Sequence, residues 1–526
     1  MPRITVHVGH VLDVLGRLPA ASVHCVVTSP PYYGLRDYGL PPQVWGGASD
    51  CAHAWRETLL PAGNGMTDSF MQGPSRNHAS ATRRAHTSAL CARCGAWWGS
   101  LGLEPSPWLY LEHLVEVFRE VRRVLRPDGV CWLNMGDSYA SNAAGPRPQH
   151  GFLHGRDRAQ HDICGSAAFR DGVIKAKDLL GMPWRLAFAL QADGWWLRRD
   201  VIWAKDNPMP ESVSDRPTSA HEYLFLLTRS ERYFYDADAI REPHEWLGDR
   251  GRNGNVTDAL SGQAPGRGLK LTVPSGWDTG PGAHDGLIGR YPRAKTARDP
   301  HVGSRRQAPE PGEPDAFHPR GRNKRSVWTF ATVPFGLELC TACGTVYEPE
   351  EHRRLPEVDE DSVRRRRCRC GVSDAWVSHF ATFPPELVLP CVLAGTSERG
   401  CCPRCGAPWR RLVDRVYENP GRRTTNGPRS LARRDETAGF PVRIERTSWT
   451  AGWGPMCPCP PAKPVPCTVL DPFCGSGTAL VVAAKNSRHA IGVDLQRDYL
   501  PFIRHRLAAL ELDLVHPTAL EVCNGA

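Results

Sequence analysis

A glycine-rich string near the carboxyl end of the sequence has the residue types of a ligand-binding turn. The string Asp471-Pro472-Phe473-Cys474-Gly475-Ser476-Gly477-Thr478 separates a predicted strand, Thr468–Asp471, from a predicted helix that begins at Ala479. Glycines at a strand-to-helix turn allow a ligand to approach the backbone and the helix N-terminus. The next predicted strand, Ala490–Asp494, ends in a carboxylate, which is where such units hold a ribose diol. The string lacks the third glycine of the dinucleotide fingerprint and the lysine of a phosphate-binding loop, which argues against NAD binding and ATP hydrolysis.

A second motif, Ser29-Pro30-Pro31-Tyr32, follows a predicted apolar strand, Ser22–Thr28. Because two prolines cannot continue a hydrogen-bonded ladder, the chain must leave the sheet at the carboxyl end of this strand. That edge of an α/β sheet is where ligands bind. The Ser29 hydroxyl and the Pro30 carbonyl could hold the protons of an exocyclic base amine, and Tyr32 could stack on a flipped base. A rigid turn with a packed aromatic ring is the alternative for this motif taken alone.

Both motifs must be positioned by alternating strands and helices. Further strands are predicted at Ile4–Val8, Val130–Asn134, Trp196–Trp203 and Tyr223–Leu227, and helices at Val11–Leu18, Leu111–Leu125 and Leu179–Ala192. The alternation predicts an α/β domain with a largely parallel sheet.

Three groups of cysteine and histidine have the spacing of zinc ligands. They are Cys51, His53, Cys91 and Cys94; Cys340, Cys343, Cys368 and Cys370; and Cys402, Cys405, Cys457 and Cys459. Each C-x-x-C pair is followed by a glycine, and four such ligands suit a closed, structural, tetrahedral zinc site. Scattered reduced thiols are the alternative, and Cys401 is an alternative ligand in the third group.

Composition indicates the class of protein. The chain has 526 residues, a formal net charge of +9, 50 glycines and 47 prolines. The basic excess is compatible with a polyanionic partner. No apolar run approaches the roughly 18–20 residues that span a bilayer, Met1 leads directly into a predicted strand, and paired cysteines are typical of a reducing compartment. We therefore expect a soluble intracellular protein without membrane contact.

Taken together, the two motifs resemble those of the DNA amino-methyltransferases, which make N4-methylcytosine or N6-methyladenine. Ser29-Pro30-Pro31-Tyr32 is similar to their catalytic motif (D/N/S)-P-P-(Y/F/W), and residues 473–477 are similar to their F-x-G-x-G cofactor motif. The catalytic motif comes first, as in the permuted β group. The segment 379–387, which includes Phe383 and Pro384, is similar to the family segment that helps line the S-adenosylmethionine pocket. The matching blocks cover most of residues 1–40, 105–140, 180–240, 320–335, 379–397 and 467–510.

The resemblance implies a Rossmann-like α/β fold of S-adenosylmethionine-dependent methyltransferases, with a mostly parallel sheet and zinc-binding insertions. Its methyltransferase parts are expected at residues 1–45, 105–242, 326–400 and 461–526. Zinc insertions are expected at 46–104, 340–370 and 401–460, and a flexible insertion for target recognition at 243–325.

The resemblance also implies a site-specific enzyme that methylates the N4 of cytosine in double-stranded DNA. Adenine N6 is the alternative, because a serine in the catalytic motif leans toward cytosine while aspartate or asparagine leans toward adenine. A non-catalytic, zinc-dependent nucleic-acid-binding protein is a more distant alternative, and RNA methylation is another. Where the family usually has Gly-Asp on the cofactor side, this chain has Gly9-His10, and Asp13 is the carboxylate that could substitute. The resemblance implies a location in the cytoplasm of a bacterial or phage-infected cell. A cognate restriction endonuclease is a candidate partner, and the oligomeric state stays open.

Overall fold

The computed structural model describes residues 2–35, 38–60, 86–140, 173–175, 177–211, 213–242, 322–333, 335–360, 363–378, 383–418, 445–510 and 520–524. Most of the predicted flexible insertion at 243–325 and residues 379–382 of the predicted pocket segment therefore lie outside the described residues. Two compact units are distinguished: a larger one (1–240, 324–412 and 450–526) and a smaller one (241–323 and 413–449). In the smaller unit, Glu242 and Arg322 form an antiparallel bridge.

The core of the larger unit is a nine-stranded sheet flanked by helices. Its strands are β1 (Ile4–Val8), β2 (Val23–Thr28), β7 (Leu125–Met135), β8 (Trp196–Lys205), β9 (His221–Thr228), β10 (Val327–Phe330), β18 (Thr468–Asp471), β19 (His489–Asp494) and β20 (Leu520–Asn524). They lie in the order β10-β8-β9-β7-β2-β18-β19-β1-β20. The neighbouring pairs run parallel except those of β9, which is antiparallel to β7 and to β8. The predicted α/β architecture with a mostly parallel sheet is confirmed.

Seven α-helices lie among the described residues. They are α1 (Val11–Arg17), α2 (Pro107–Val124), α3 (Met182–Ala192), α4 (Pro349–Arg353), α5 (Pro385–Gly395), α6 (Thr478–Lys485) and α7 (Leu500–Ala508). The longest, α2, begins where the Ser106 hydroxyl accepts a hydrogen bond from the Leu109 amide at 3.2 Å and Pro107 occupies the first turn. Its apolar stripe includes the fully buried Leu114 and Phe118. No helix among the described residues is long and apolar enough to cross a membrane.

Alternation along the central strands sends side chains to two separate cores. Val26 and Leu133 face a core built with α1, α2 and α3, whereas Cys25 and Trp132 face a core built with α5, α6 and α7. A strand buried on both faces is mostly apolar, and all six residues of β2 are buried. Its two polar side chains, His24 and Thr28, are both hydrogen-bonded. The two cores fix the register of the sheet, because a slip of one residue would exchange its faces.

The cysteine-rich segments form small separate sheets. The first insertion and the residues directly before it hold β3 (Gln43–Trp45), β4 (Trp55–Leu60), β5 (His86–Cys91) and β6 (Trp97–Gly99), in the antiparallel order β3-β6-β5-β4. The second holds β11 (Glu338–Cys340), β12 (Thr345–Tyr347) and β15 (Trp376–Ser378), with a hairpin of β13 (Glu357–Glu360) and β14 (Val363–Arg366). Another two-stranded sheet joins β16 (Trp409–Glu418) and β17 (Glu445–Pro455). The segment boundaries given in the sequence analysis stay a prediction.

The strand order places the two motifs side by side. β2 and β18 are parallel neighbours with Val26 opposite Leu470, so both strands end at the same edge of the sheet. The Thr28 hydroxyl at the end of β2 donates a 2.7 Å hydrogen bond to the carboxylate of Asp471 at the end of β18. The Ser-Pro-Pro-Tyr motif and the glycine-rich turn therefore leave the sheet together, although they are more than 400 residues apart in sequence.

Candidate active site

The glycine-rich turn joins β18 to α6 in a conformation that requires glycine. Gly475 has φ +49° and Gly477 has φ +79°, both in the left-handed region. A Cβ on Gly477 would lie 2.8 Å from a carbon of Ile503 in α7. From the same helix, Arg506 donates hydrogen bonds to the Ser476 carbonyl at 2.9 Å and to the Thr478 hydroxyl at 3.0 Å. The turn is thus held from below by α7, which leaves its other side open to a ligand.

Asp494, at the end of β19, shapes this turn. Its carboxylate accepts hydrogen bonds from the Gly475 amide at 2.7 Å and from the Gln496 amide at 2.8 Å. Burial raises the pKa of Asp494 to about 6, although these backbone donors favour the charged form. The carboxylate predicted to hold a ribose diol therefore also fixes the backbone of the glycine turn.

The buried carboxyl of Asp471 has a different environment. One oxygen accepts from Thr28 and from the Phe473 amide at 3.1 Å, while the other is buried with no partner among the described residues. Burial raises the pKa of Asp471 to about 7, and the charge of Asp494 adds to the effect.

A network of polar side chains surrounds the Ser-Pro-Pro-Tyr motif. The Ser29 hydroxyl donates to the Tyr32 hydroxyl at 3.2 Å, and the Tyr32 hydroxyl donates to Glu222 at 2.8 Å. Asn134 on β7 donates to both Tyr32 and Glu222, and Lys205 on β8 donates to the other oxygen of Glu222 at 2.7 Å. Burial and the neighbouring Glu222 charge raise the pKa of Tyr32 well above its ordinary value. Tyr32 therefore stays neutral, and its ring orientation is set by three neighbouring strands.

The turn itself is held by one more contact. The Tyr110 hydroxyl on α2 donates a 2.7 Å hydrogen bond to the Pro31 carbonyl. The rigid turn that the sequence offered as an alternative is present, and it also lies at the edge of a cavity.

This cavity has a volume of about 1070 Å³, including space open to solvent, and it lies between the two motifs. The predicted cofactor residues that line it are Phe383, Pro472, Phe473, Cys474, Gly475, Ser476, Thr478 and Asp494. Ser29 and Pro31 of the catalytic motif also line it, whereas Pro30, Tyr32, Pro384, Asp471 and Gly477 are not among its lining residues. Pro384 instead precedes the first residue of α5 and is buried.

A family model described as DNA methylase, covering N6 and N4 methyltransferases, matches residues 23–402 and 467–505. The chain belongs to this DNA methylase family. The matched segments include both the Ser-Pro-Pro-Tyr motif and the glycine-rich turn, so the resemblance inferred from the sequence is confirmed.

Several Type II methyltransferases are similar to this member of the family. M.Cfr9I of Citrobacter freundii is 39% identical over 248 residues, which are 47% of this chain and 62% of the relative. M.SmaI of Serratia marcescens is 37% identical over 239 residues, which are 45% of this chain and 59% of the relative. The chain thus spans about three fifths of the length of these relatives.

Two solved structures are also similar at low identity. The PvuII DNA methyltransferase, described as cytosine-N4-specific, has a TM-score of 0.36 and 10% identity, and the match covers 99% of this chain and 95% of that one. M1.HpyAVI, in a complex described as containing SAM, has a TM-score of 0.31 and 8% identity, with 96% and 99% covered.

His10, where the family usually has aspartate, lines the cavity. Its ring lies 4.5 Å from the ring of Trp45, and its Nε2 atom is buried with no partner among the described residues. Burial lowers the pKa of His10, which favours the neutral ring. A neutral histidine with an unused nitrogen can form a hydrogen bond with a ligand, but it provides no negative charge as aspartate would.

All three predicted cysteine groups converge in space. Within each group, the ligand atoms lie within 4.8 Å of one another. In the first, the Sγ atoms of Cys51 and Cys91 are 3.9 Å apart, and in the second those of Cys343 and Cys368 are 3.6 Å apart. Tetrahedral zinc with Zn–S bonds of about 2.3 Å places sulfurs about 3.8 Å apart. The side chains present therefore fit zinc.

A fourth buried group, His24, Cys401 and Cys467, was missed by the sequence analysis. Cys401 lies here and not with the third predicted group, so its assignment as an alternative ligand there was wrong. Both ring nitrogens of His24 are occupied, because Nδ1 accepts from the Thr468 amide at 3.0 Å and Nε2 donates to the Gly406 carbonyl at 2.8 Å. The group therefore links the third cysteine cluster to β2 and β18 and leaves no nitrogen free for a metal.

The sequence analysis also missed a large part of the cavity. Tyr38, Leu40, Pro41, Gln43, Trp45, Ser100, Leu101 and Leu103 line it, and they come from the first insertion and its flanks. No motif marks them, because their role depends on how the insertion folds over the sheet edge. Glu222 and Asn134 were missed for the same reason. The strand order β9-β7-β2 brings both side chains to Tyr32, and sequence alone does not show that order.

Proposed function

We propose that this chain transfers a methyl group from S-adenosylmethionine to the exocyclic amine of a base in double-stranded DNA. The observation that carries the proposal is the shared cavity, which is lined by Ser29 and Pro31 on one side and by the glycine-rich turn on the other. Membership of the DNA methylase family and the similarity to Type II methyltransferases support it. S-adenosylmethionine supplies an electrophilic methyl group when bound.

The residues of the chain bind and orient the two reactants. The glycine turn allows close approach of the cofactor, and Asp494 keeps lone pairs on its oxygens for the ribose hydroxyls. The Ser29 hydroxyl hydrogen is committed to Tyr32, so its oxygen acts only as an acceptor toward the amine of the base. With the Pro30 carbonyl as a second acceptor, both amine protons are held and the nitrogen lone pair is turned toward the cofactor.

We propose cytosine N4 as the target atom, with adenine N6 as the alternative. The support is the neutral serine at position 29, because aspartate at this position would add a charged acceptor. Recognition of a specific DNA site, a partner endonuclease and a cytoplasmic location are further proposals. They are supported by the similarity to Type II methyltransferases.

We also propose that each of the three predicted cysteine groups binds one structural zinc ion. The close approach of four ligand atoms in each group supports this. With four protein ligands, a zinc ion has no open position for a substrate, which is typical of structural sites.

The first test is mass spectrometry of nucleosides from the DNA of a methylation-free host that expresses the chain. N4-methylcytosine is the expected product. N6-methyladenine would support the reaction but refute the choice of base, and neither product from soluble, zinc-loaded protein would favour the non-catalytic alternative. Methylated RNA with unmodified DNA would point to the other nucleic acid.

Three variants test the assigned roles. Ser29→Ala and Tyr32→Ala should greatly lower methylation and leave cofactor binding, measured by calorimetry, nearly unchanged. Gly475→Val should abolish cofactor binding, because a branched side chain is strained at φ +49° and blocks the turn. Equal loss of cofactor binding in the Ser29 and Tyr32 variants would refute their assignment to the base.

A further inference from the structure

We propose that the metal ion held by Cys51, His53, Cys91 and Cys94 keeps one wall of the cofactor cavity in place, so that cofactor affinity depends on metal at this cluster. The wall is defined as residues 38–45 and 100–103. The inference rests on the proposed function in one respect, namely that S-adenosylmethionine is the ligand of the cavity.

The wall supplies eight of the twenty-four residues that line the cavity. It lines the same cavity as the glycine-rich turn, and Tyr38, Leu40 and Trp45 are among its apolar and aromatic residues. None of these residues belongs to either sequence motif. A ligand seated on the turn would therefore be covered by a segment that the central sheet does not contain.

The first cluster is built into the same small sheet as the wall. β3, at the end of the first wall segment, pairs antiparallel with β6, with Trp45 opposite Trp97 and Gln43 opposite Gly99. β6 starts directly after the Cys91–Gly95 hook, and the Cys91 amide donates a 2.7 Å hydrogen bond to the Ala96 carbonyl. The second wall segment follows β6 at once. Both wall segments are therefore joined through the strand that leaves the hook.

Close packing transmits the position of the hook to the wall. A Cβ on Gly47, two residues after Trp45, would lie 2.8 Å from Cys94 Sγ and 2.6 Å from Ala96 Cβ. The Trp45 indole also donates a 3.2 Å hydrogen bond to the Gly99 carbonyl. Movement of the hook would consequently displace the chain on both sides of Trp45.

Trp45 connects the wall to the methyltransferase core. Its buried ring lies 4.5 Å from His10 in the cavity and 5.6 Å from His113 on α2. His113 in turn hydrogen-bonds the buried Glu104 at 3.0 Å, whose other oxygen accepts from the Gly102 amide. The wall thus packs against His10, His113 and Glu104. These contacts hold it in one position as long as β3 and β6 stay paired.

Metal binding supplies the free energy that keeps this arrangement. The four ligands come from two short segments, Cys51–His53 and Cys91–Cys94, which are about 40 residues apart in sequence. The free energy of binding a structural metal contributes directly to the folding free energy of the segment that the metal closes. Without metal, the wall is formed in only a fraction of the molecules. The apparent affinity for a ligand falls by that fraction, about tenfold if one molecule in ten has the wall formed.

The experiment compares matched ligand substitutions in the full-length chain. Cys51→Ser removes a ligand of the first cluster, and Cys405→Ser makes the same change in the third cluster. Next to Cys405, the Gly406 carbonyl is hydrogen-bonded to His24, which lies near the end of β2 opposite to the Ser-Pro-Pro-Tyr motif. Metal content is measured by mass spectrometry and S-adenosylmethionine affinity by calorimetry. We expect each variant to lose one metal ion per chain. Affinity should fall about tenfold or more in Cys51→Ser and stay within about twofold of wild type in Cys405→Ser.

Two further variants distinguish loss of the metal from loss of folding. Cys51→His keeps a metal ligand and should restore both metal content and affinity. Gly47→Ala keeps all four ligands but is strained at φ +75° and presses on Cys94, so it should lower cofactor affinity with metal content unchanged. If Cys51→Ser does not fold, Gly47→Ala tests whether cofactor affinity depends on the packing between the metal-binding segment and the wall. Wild-type affinity in metal-loaded Gly47→Ala would overturn the proposal, because the wall would then not respond to the position of that segment.

The outcomes separate this proposal from the one on which it rests. If wild-type protein binds the cofactor and Cys51→Ser loses metal but keeps its affinity, the wall does not need the metal and only this inference is overturned. Equal losses of affinity in Cys51→Ser and Cys405→Ser would indicate general destabilisation and also overturn it. If zinc-loaded wild type binds no S-adenosylmethionine, both proposals are refuted.

Discussion

Replacement of Asp471 by asparagine is expected to change how the stability of the cofactor-free chain depends on pH. Burial raises the pKa of Asp471 from 3.8 to about 7, despite the hydrogen bonds from Thr28 and Phe473. Because the pKa is higher in the folded state, the contribution of this group to stability is fully present below pH 3.8 and is lost up to about pH 7. The loss is about 1.4 kcal/mol per pH unit.

Asparagine does not ionise, so the variant should avoid this loss. Its carbonyl oxygen can accept from Thr28 and Phe473, and its NH₂ group takes the position of the oxygen that has no partner among the described residues. At pH 5 the folded wild-type protein carries a protonated carboxyl with one O–H at that same position. Relative to wild type, the variant should therefore gain about 3 kcal/mol of unfolding free energy between pH 5 and pH 8.

Urea denaturation of both proteins without cofactor, at pH 5, 6, 7 and 8, measures this difference. Asp494→Asn is the comparison variant, because both oxygens of Asp494 accept backbone N–H groups from Gly475 and Gln496. The pKa of Asp494 is raised only to about 6, so its replacement should give a smaller gain in unfolding free energy between pH 5 and pH 8 than that of Asp471. An amide at position 494 must place its NH₂ against a donor, which costs about 1–3 kcal/mol. At pH 8 the Asp494 variant should be the less stable of the two. A difference between Asp471→Asn and wild type that stays constant from pH 5 to pH 8 would refute the reasoning.

Three other predictions follow from the site. Tyr32→Phe leaves the Ser29 hydroxyl hydrogen without its acceptor, so methylation should fall about a hundredfold with an unchanged cofactor dissociation constant; an unchanged rate would contradict the role of this hydrogen bond. Gly477→Ala should lower the free energy of unfolding by about 1–3 kcal/mol, because its Cβ would meet Ile503; an unchanged thermal midpoint would argue against that contact. Zinc analysis of protein purified without added metal should find three ions per chain, and one or two would show that a cluster was assigned wrongly.

The element order and the two motifs could be read from the sequence because both depend on local chemistry. Prolines at positions 30 and 31 end a strand wherever that strand lies, and glycines permit the turn at 475–477 without reference to the rest of the fold. The short strand β20 escaped notice, since nothing in its five residues marks them as an edge strand beside β1.

The cysteine groups could also be predicted from the sequence, because each pair of ligands lies within a few residues and needs a second pair to complete a four-ligand site. A C-x-x-C pair followed by glycine needs two more ligands, and the nearest unused pair supplies them in each case. Cys401 was considered as a ligand of the third group because it is adjacent to Cys402 in sequence. Its actual neighbours depend on backbone pairing that the sequence does not show. Its backbone pairs with Val465, which carries its side chain toward Cys467 and His24 instead.

What the sequence determined by itself was therefore the set of chemical parts: an acceptor-bearing proline turn, a glycine turn followed by a carboxylate, and three sets of metal ligands. Only the tertiary structure decided how these parts meet. The Thr28–Asp471 hydrogen bond, the contact of Glu222 with Tyr32 and the wall formed around Trp45 each join residues far apart in the chain. Their proximity follows from the order of strands in the sheet and from the packing of an insertion over its edge. Those features arise from burial of the whole apolar core, and no local pattern of residues encodes them.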